Sequence, residues 1–170
     1  MASFQSTFDG TESPLSEGGA WTSGPGAWGV LQKVAGRCRA GIANEIDGAK
    51  VATPTIGGAQ YAQVVQAATI AGVGPIEGGP VARFGATDGD CYPFDLDDNG
   101  GVLQAFRCDD TGTLAFTQLR ANLTGSPTDG HTYKITANGS TLEYFDDGVS
   151  LGTRTDSTYS SGQPGIFVNA

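Results

Sequence analysis

Two residue pairs, Asn138-Gly139 and Asp147-Gly148, interrupt an alternating apolar run and constrain this chain more than any other feature. A type I′ hairpin turn needs positive φ at both of its residues, which Asn-Gly and Asp-Gly accept at low steric cost. A two-residue loop at 138 and 139 predicts that Tyr133 faces Tyr144 and Ile135 faces Leu142, all four on one side. The other side then carries Lys134 against Glu143 and Thr136 against Thr141. Asp147-Gly148 turns the chain again, sets Tyr144 opposite Leu151 and leads into a third strand ending near Thr155. Residues 131 to 155 therefore read as an antiparallel meander.

A second hairpin is predicted around Asn99-Gly100. Its register places Tyr92, Phe94 and Leu96 on one face with Leu103 and Ala105, and Asp95, Asp97, Gln104 and Phe106 on the other. Cys91 falls opposite Cys108, in the non-hydrogen-bonded kind of pair, where a disulfide is geometrically conceivable. Thr113 to Leu119 alternates as a further strand after a turn at Asp109-Asp110-Thr111-Gly112. Ala27 to Val34, Cys38 to Ala43 and Val81 to Ala86 are shorter strand candidates. Gln60 to Thr69 fits helical spacing as well as a buried strand, and its β context favours the strand.

Composition agrees with this pattern. The 27 Gly and 8 Pro among 170 residues exclude a helical bundle or coiled coil, and 13 of the 18 acids are Asp, the acid that prefers turns. With 38% hydrophobic and 16% charged residues the chain is expected to form one compact domain over residues 1–170, undivided by repeat or linker. A chain of this size buries about 70% of the surface it exposes when unfolded, enough for a β-sandwich without a metal or disulfide staple. The net charge of -9 repels a phosphate backbone, and the nine basic residues form no cluster, so no nucleic-acid partner is expected. Met1 to Phe8 lacks the basic and apolar parts of a secretory signal, and no apolar run reaches about 18 residues, so neither a signal nor a membrane partner is expected.

Several blocks, in consistent order over most of the chain, resemble the concanavalin A-like lectin/glucanase superfamily, in particular its laminin G-like branch. Phe8-Asp-Gly-Thr-Glu-Ser-Pro-Leu15 with Trp21 resembles the opening strand and first loop, Gln60-Tyr-Ala-Gln-Val64 a mid-chain strand, and Pro80-Val-Ala-Arg-Phe84 the strand after it. Gly130 to Ile135 and Gly139 to Gly148 are similar to an adjacent strand pair, and Ser161-Gly-Gln-Pro-Gly-Ile-Phe167 to the closing strand. The resemblance implies an all-β, two-sheet antiparallel jelly-roll sandwich. It leaves function open, because the superfamily includes lectins, glycan hydrolases, adhesion modules and virion domains.

Laminarinase-type members carry Glu-x-Asp-x-x-Glu on one strand, projecting three acids into a cleft. The nearest match here is Glu45-Ile-Asp47-Gly-Ala-Lys50, where Lys replaces the second Glu and leaves the catalytic pair incomplete. The only histidine, His131, reads as an exposed turn residue, and neither Ser160, Ser161 nor Cys38, Cys91 and Cys108 has a motif that activates a nucleophile. The expectation is a non-enzyme. Asp95-Leu-Asp97-Asp98-Asn99-Gly100 matches the start of a calcium loop, with Asp95, Asp97 and Asn99 as candidate ligands, but position 106 is Phe where the bidentate Glu belongs. Candidate ligand-binding residues on predicted outward faces are Gln104, Phe106 and Phe145. The expected role is a non-catalytic structural or interaction protein, foremost a bacteriophage virion surface component that contacts other virion proteins or itself. The alternative is a secreted carbohydrate-binding module or lectin that contacts cell-surface glycans.

Overall fold

The computed structural model describes residues 3–41, 45–67 and 77–169. Every regular element among them is a strand. In chain order these are β1 (Thr11–Glu12), β2 (Trp21–Ser23), β3 (Gly29–Val34), β4 (Arg37–Ala40), β5 (Ile46–Val51), β6 (Gln60–Val65) and β7 (Glu77–Phe84). The second half adds β8 (Tyr92–Asp97), β9 (Val102–Asp110), β10 (Leu114–Gln118), β11 (Thr132–Asn138), β12 (Thr141–Asp146), β13 (Val149–Thr155) and β14 (Gln163–Asn169). The strand expectations at residues 42–43 and 68–69 lie outside the described residues.

The strands form two sheets, as the jelly-roll expectation requires. The larger has ten strands in the order β1-β3-β5-β14-β7-β8-β9-β10, with β2 on β5 and β4 on β3; the smaller runs β13-β12-β11-β6. All ladders are antiparallel except the short β3–β5 contact. Alternation on β8 and β9 turns Tyr92, Phe94, Leu96, Leu103 and Ala105 toward Tyr133, Ile135, Leu142 and Tyr144 of the smaller sheet, and these residues form one buried cluster. Phe94 meets Tyr133 and Tyr144 edge-on at 5.9 and 5.2 Å, the arrangement that ring quadrupoles favour. A second cluster, Leu15, Trp21, Leu31, Ala49, Val51 and Ile166, fills the same interior further along.

Three turn expectations have different outcomes. The β8–β9 register is as predicted, Phe94 on Ala105 and Leu96 on Leu103, closed by residues 98–101. Asp147 and Gly148 both have positive φ, 45° and 81°, and make the expected two-residue turn. Beyond it a bulge sets Tyr144 against Gly152 instead of Leu151. The β11–β12 loop is Gly139-Ser140, not Asn138-Gly139: Asn138 pairs with Thr141, Ile135 with Tyr144 and Tyr133 with Asp146. A slip of two residues leaves every side chain on its own face, so the apolar pattern cannot separate the two registers. A tertiary contact selects the observed one. Arg83, in β7, donates its guanidinium to the Gly139 carbonyl (2.6 Å) and to those of Tyr159 (2.8 Å) and Gly58 (3.2 Å). This buried cation bridges the two sheets at one end of the sandwich.

Candidate functional site

The outer face of the larger sheet, turned away from the smaller one, concentrates the polar and aromatic residues that the fold does not consume. One half of it is closed. Trp28, just before β3, packs against Phe84, Phe116 and Phe167 and donates its indole N–H to the Gly89 carbonyl (2.9 Å). The Ala27 amide is held by Asp110 Oδ2 (2.8 Å), which ties the loop before β3 to the β9–β10 turn. Gly48 of β5 lies under this cluster, where a Cβ would come within 2.7 Å of Trp28.

The other half is open. Phe106 of β9 and Phe116 of β10, both half-buried, meet edge-on at 5.9 Å. Gln118 stands directly opposite Phe106, and Gln104 follows two residues along the same face. The segment after β10 brings in Asn122, whose Oδ1 accepts from Gln118 Nε2 (2.6 Å) and Gln104 Nε2 (3.2 Å). With both bonds made, Asn122 Nδ2 remains a donor and the two glutamine oxygens remain acceptors. The result is an amide triad of mixed polarity beside two aromatic rings.

Acids line the β7–β8 side of this face. Asp95 lies across from Gln104 and is only 6% exposed. Burial, then the charges of Glu77 and Asp97, push its carboxyl up to about 7, against the Gly78 amide that hydrogen-bonds it. Glu77 itself accepts from Asn169 Nδ2 (2.6 Å). Of the three calcium-loop candidates, Asp97 uses Oδ1 to cap the loop through the Gly100 amide (2.6 Å), Asn99 is exposed in that loop, and Asp95 is drawn into the sheet.

The remaining sequence candidates lie apart. Phe145 is on the outer face of the smaller sheet, opposite Lys134, whose ammonium covers its ring at 4.1 Å; the predicted Lys134 pairing with Glu143 is replaced by this contact. Gln104 and Phe106 are brought together, and Phe145 belongs to the far side of the molecule. The Glu45–Lys50 segment splits. Asp47 is fully buried on the inner side and accepts the Gly41 amide (2.6 Å), while Lys50 points outward and clamps the carbonyls of Gly85 and Ala86. Cys91 and Cys108 face each other as free thiols, but their backbones exchange both bonds (3.1 and 2.9 Å), so this is the wider, hydrogen-bonded pair and not the narrow one expected. Burial raises the Cys91 thiol far above its usual range, and burial also lifts Cys38 to about 12, so neither thiol is poised as a nucleophile. His131 is half-buried and bonded to Asp146 (2.8 Å) rather than a bare turn residue.

Two openings accompany these groups. A shallow depression of about 410 Å³ at the closed half is lined by Ala27, Gly29, Glu45, Ile46, Thr113 and Leu114. A larger, partly open space of about 640 Å³ lies beside β6 and has a mixed lining that includes Phe4, Trp21 and Val64 together with Gln5, Gln60 and Gln63. Sequence reasoning missed Gln118, Phe116 and Asn122. The first two follow from the predicted 113–119 strand once it is paired with β9, whereas Asn122 sits in irregular chain with no periodic signal.

No family model matches the chain, and no curated protein matches its sequence. Solved structures do match. The carbohydrate-binding module CBM66 from Bacillus subtilis aligns with a TM-score of 0.65 at 14% identity, over 91% of this chain and 94% of that one. The Bacillus licheniformis β-glucanase aligns at 0.53 with 13% identity, over 95% and 81% of the two chains. The κ-carrageenase from Pseudoalteromonas carrageenovora, in complex with a carrageenan oligotetrasaccharide, aligns at 0.51 with 12% identity, over 96% and 77%. The chain therefore has the jelly-roll sandwich fold of lectin-type binding modules and glucanases.

Proposed function

We propose that the protein is a carbohydrate-binding module whose ligand lies across the open half of the larger sheet's outer face. The observation that carries this reading is the amide triad of Gln104, Gln118 and Asn122 beside Phe106 and Phe116. A pyranose ring presents apolar C–H faces and hydroxyls that both donate and accept, and this patch answers with an aromatic surface and prealigned donors and acceptors. Its side chains are already ordered by one another, so less conformational freedom is lost on binding.

Binding without hydrolysis is the better fit. Glycoside hydrolysis requires two carboxylates flanking the scissile bond. Asp47 faces inward, Lys50 occupies the outward position on its strand, and Asp95 is buried against Gly78. The similarity in fold to CBM66, a carbohydrate-binding module, supports the same class and favours a glycan ligand over the virion role expected from sequence. Glycan-array screening with and without calcium, followed by calorimetry on the best ligand, tests the proposal. Asn122→Ala and Phe106→Ala are each expected to weaken binding about tenfold or more, the scale of one lost polar or aromatic contact, with little change in melting temperature. Silence across the array, or full affinity in both variants, overturns it.

A further inference from the structure

The start of β11 and the β12–β13 turn bring together three side chains that have no part in the glycan face. His131 Nδ1 lies 2.8 Å from Asp146 Oδ1 and 3.7 Å from Asp147 Oδ2. One donor atom from each residue lies within 4.8 Å of the others, and among the described residues no other group of three His, Cys, Asp or Glu does so.

The backbone imposes this arrangement. The observed register sets Tyr133 against Asp146, which brings the preceding His131 up to the turn that follows β12. Asp147 occupies the first position of that turn at φ 45°, and its Oδ1 accepts the Thr132 amide (2.8 Å), leaving Oδ2 on the side of the imidazole. The imidazole stacks on Tyr133 with ring centroids 6.3 Å apart and planes 28° from parallel. His131 and Asp147 are thus each held by a neighbour that is not itself a ligand, Tyr133 and the Thr132 amide. Whether the imidazole is neutral or charged, two carboxylates leave the cluster with net negative charge, more than one ion pair balances. Side-chain exposures of 37%, 20% and 53% for His131, Asp146 and Asp147 leave an entry path from solvent.

We propose that His131, Asp146 and Asp147 bind a first-row divalent cation, with Zn²⁺ as the representative ion. An imidazole nitrogen with two carboxylates suits such ions and disfavours calcium and magnesium, which take oxygen ligands. Donors about 2.0 Å from a tetrahedral zinc lie about 3.3 Å from one another. The His131–Asp146 contact therefore opens by about half an ångström and the Asp147 contact closes by a few tenths, both within reach of partly exposed side chains. Three protein donors leave the fourth position to water.

The experiment uses the full chain without a histidine tag, so that His131 is its only imidazole. Calorimetry with Zn²⁺ alone is expected to give one site per chain. Co²⁺ is expected to broaden the His131 imidazole resonances, while Ca²⁺ leaves them in place. His131→Gln and Asp147→Asn are each expected to weaken Zn²⁺ binding at least tenfold while leaving the metal-free melting temperature unchanged. Asn is well suited to a positive-φ turn position, so Asp147→Asn carries the test should the His131 variant not fold. No saturable Zn²⁺ binding, or binding of undiminished strength in the variants, overturns the proposal.

Discussion

Asp95 has the most consequential protonation equilibrium on the larger sheet. Its folded-state carboxyl titrates near 7, above the ordinary carboxylate value, because burial and the neighbouring acids oppose its charge. A raised carboxyl favours the folded state while it stays protonated. Between about pH 4 and 7 the unfolded chain releases this proton and the folded one holds it, so stability declines through that window and levels off above it. Asp95→Asn keeps an oxygen for the Gly78 amide and removes the charge. It is expected to leave stability nearly unchanged near pH 4 and to raise it by up to about 4 kcal/mol at pH 8, or up to about 8–16 °C in melting temperature. Thermal melts across pH check this; a variant no more stable than the parent at pH 8 sinks the assignment.

At the scale of elements, Arg83 holds the chain segments at one end of the sandwich. Its bonds reach the turn before β6, the β11–β12 turn and the β13–β14 connection, three places where strands end and carbonyls lack ladder partners. Arg83→Ala leaves these buried acceptors unsatisfied and is expected to cost about 3 kcal/mol or more, read as a lower denaturant midpoint with an unchanged slope. An effect below about 1 kcal/mol means that water replaces the guanidinium at no cost. The same contact explains which elements were legible in advance. Asp147-Gly148 and the β8–β9 register follow from local chemistry, positive φ at one and strict alternation at the other. The Gly139-Ser140 loop does not, because the registers tie in pattern and a residue from a different sheet breaks the tie. The site divides in the same way: Gln104 and Phe106 share a face by period alone, but Asn122 arrives through irregular chain. His131 falls directly opposite Asp146 in the expected register and two residues before Asp146's partner Tyr133 in the observed one, so both registers bring this pair close.

For the molecule as a whole, the net charge of -9 acts on any ligand. Asp95, Asp97 and Glu77 border the proposed glycan face, so a sulfated or uronate-rich polymer meets repulsion there that a neutral one does not. Neutral glycans are expected to bind with affinity independent of salt, and anionic analogues to bind more weakly and to gain affinity between about 50 and 500 mM NaCl. Calorimetry on a matched pair of polymers checks this, and tighter binding of the anionic member at low salt contradicts it.

The position of β14 governs how such a molecule assembles. It lies between β5 and β7 in the middle of the larger sheet, and its partners in β5 come from the opposite end of the chain. Until it inserts, the β5 group and the β7–β10 group each present an unpaired edge to solvent. Joining them requires closure of a loop that spans most of the sequence, which places the molecule among slow-folding, high-contact-order topologies. The interval before insertion is when intermolecular strand pairing competes, and aggregation during refolding should scale with the lifetime of that open-edged intermediate rather than with the stability of the finished fold.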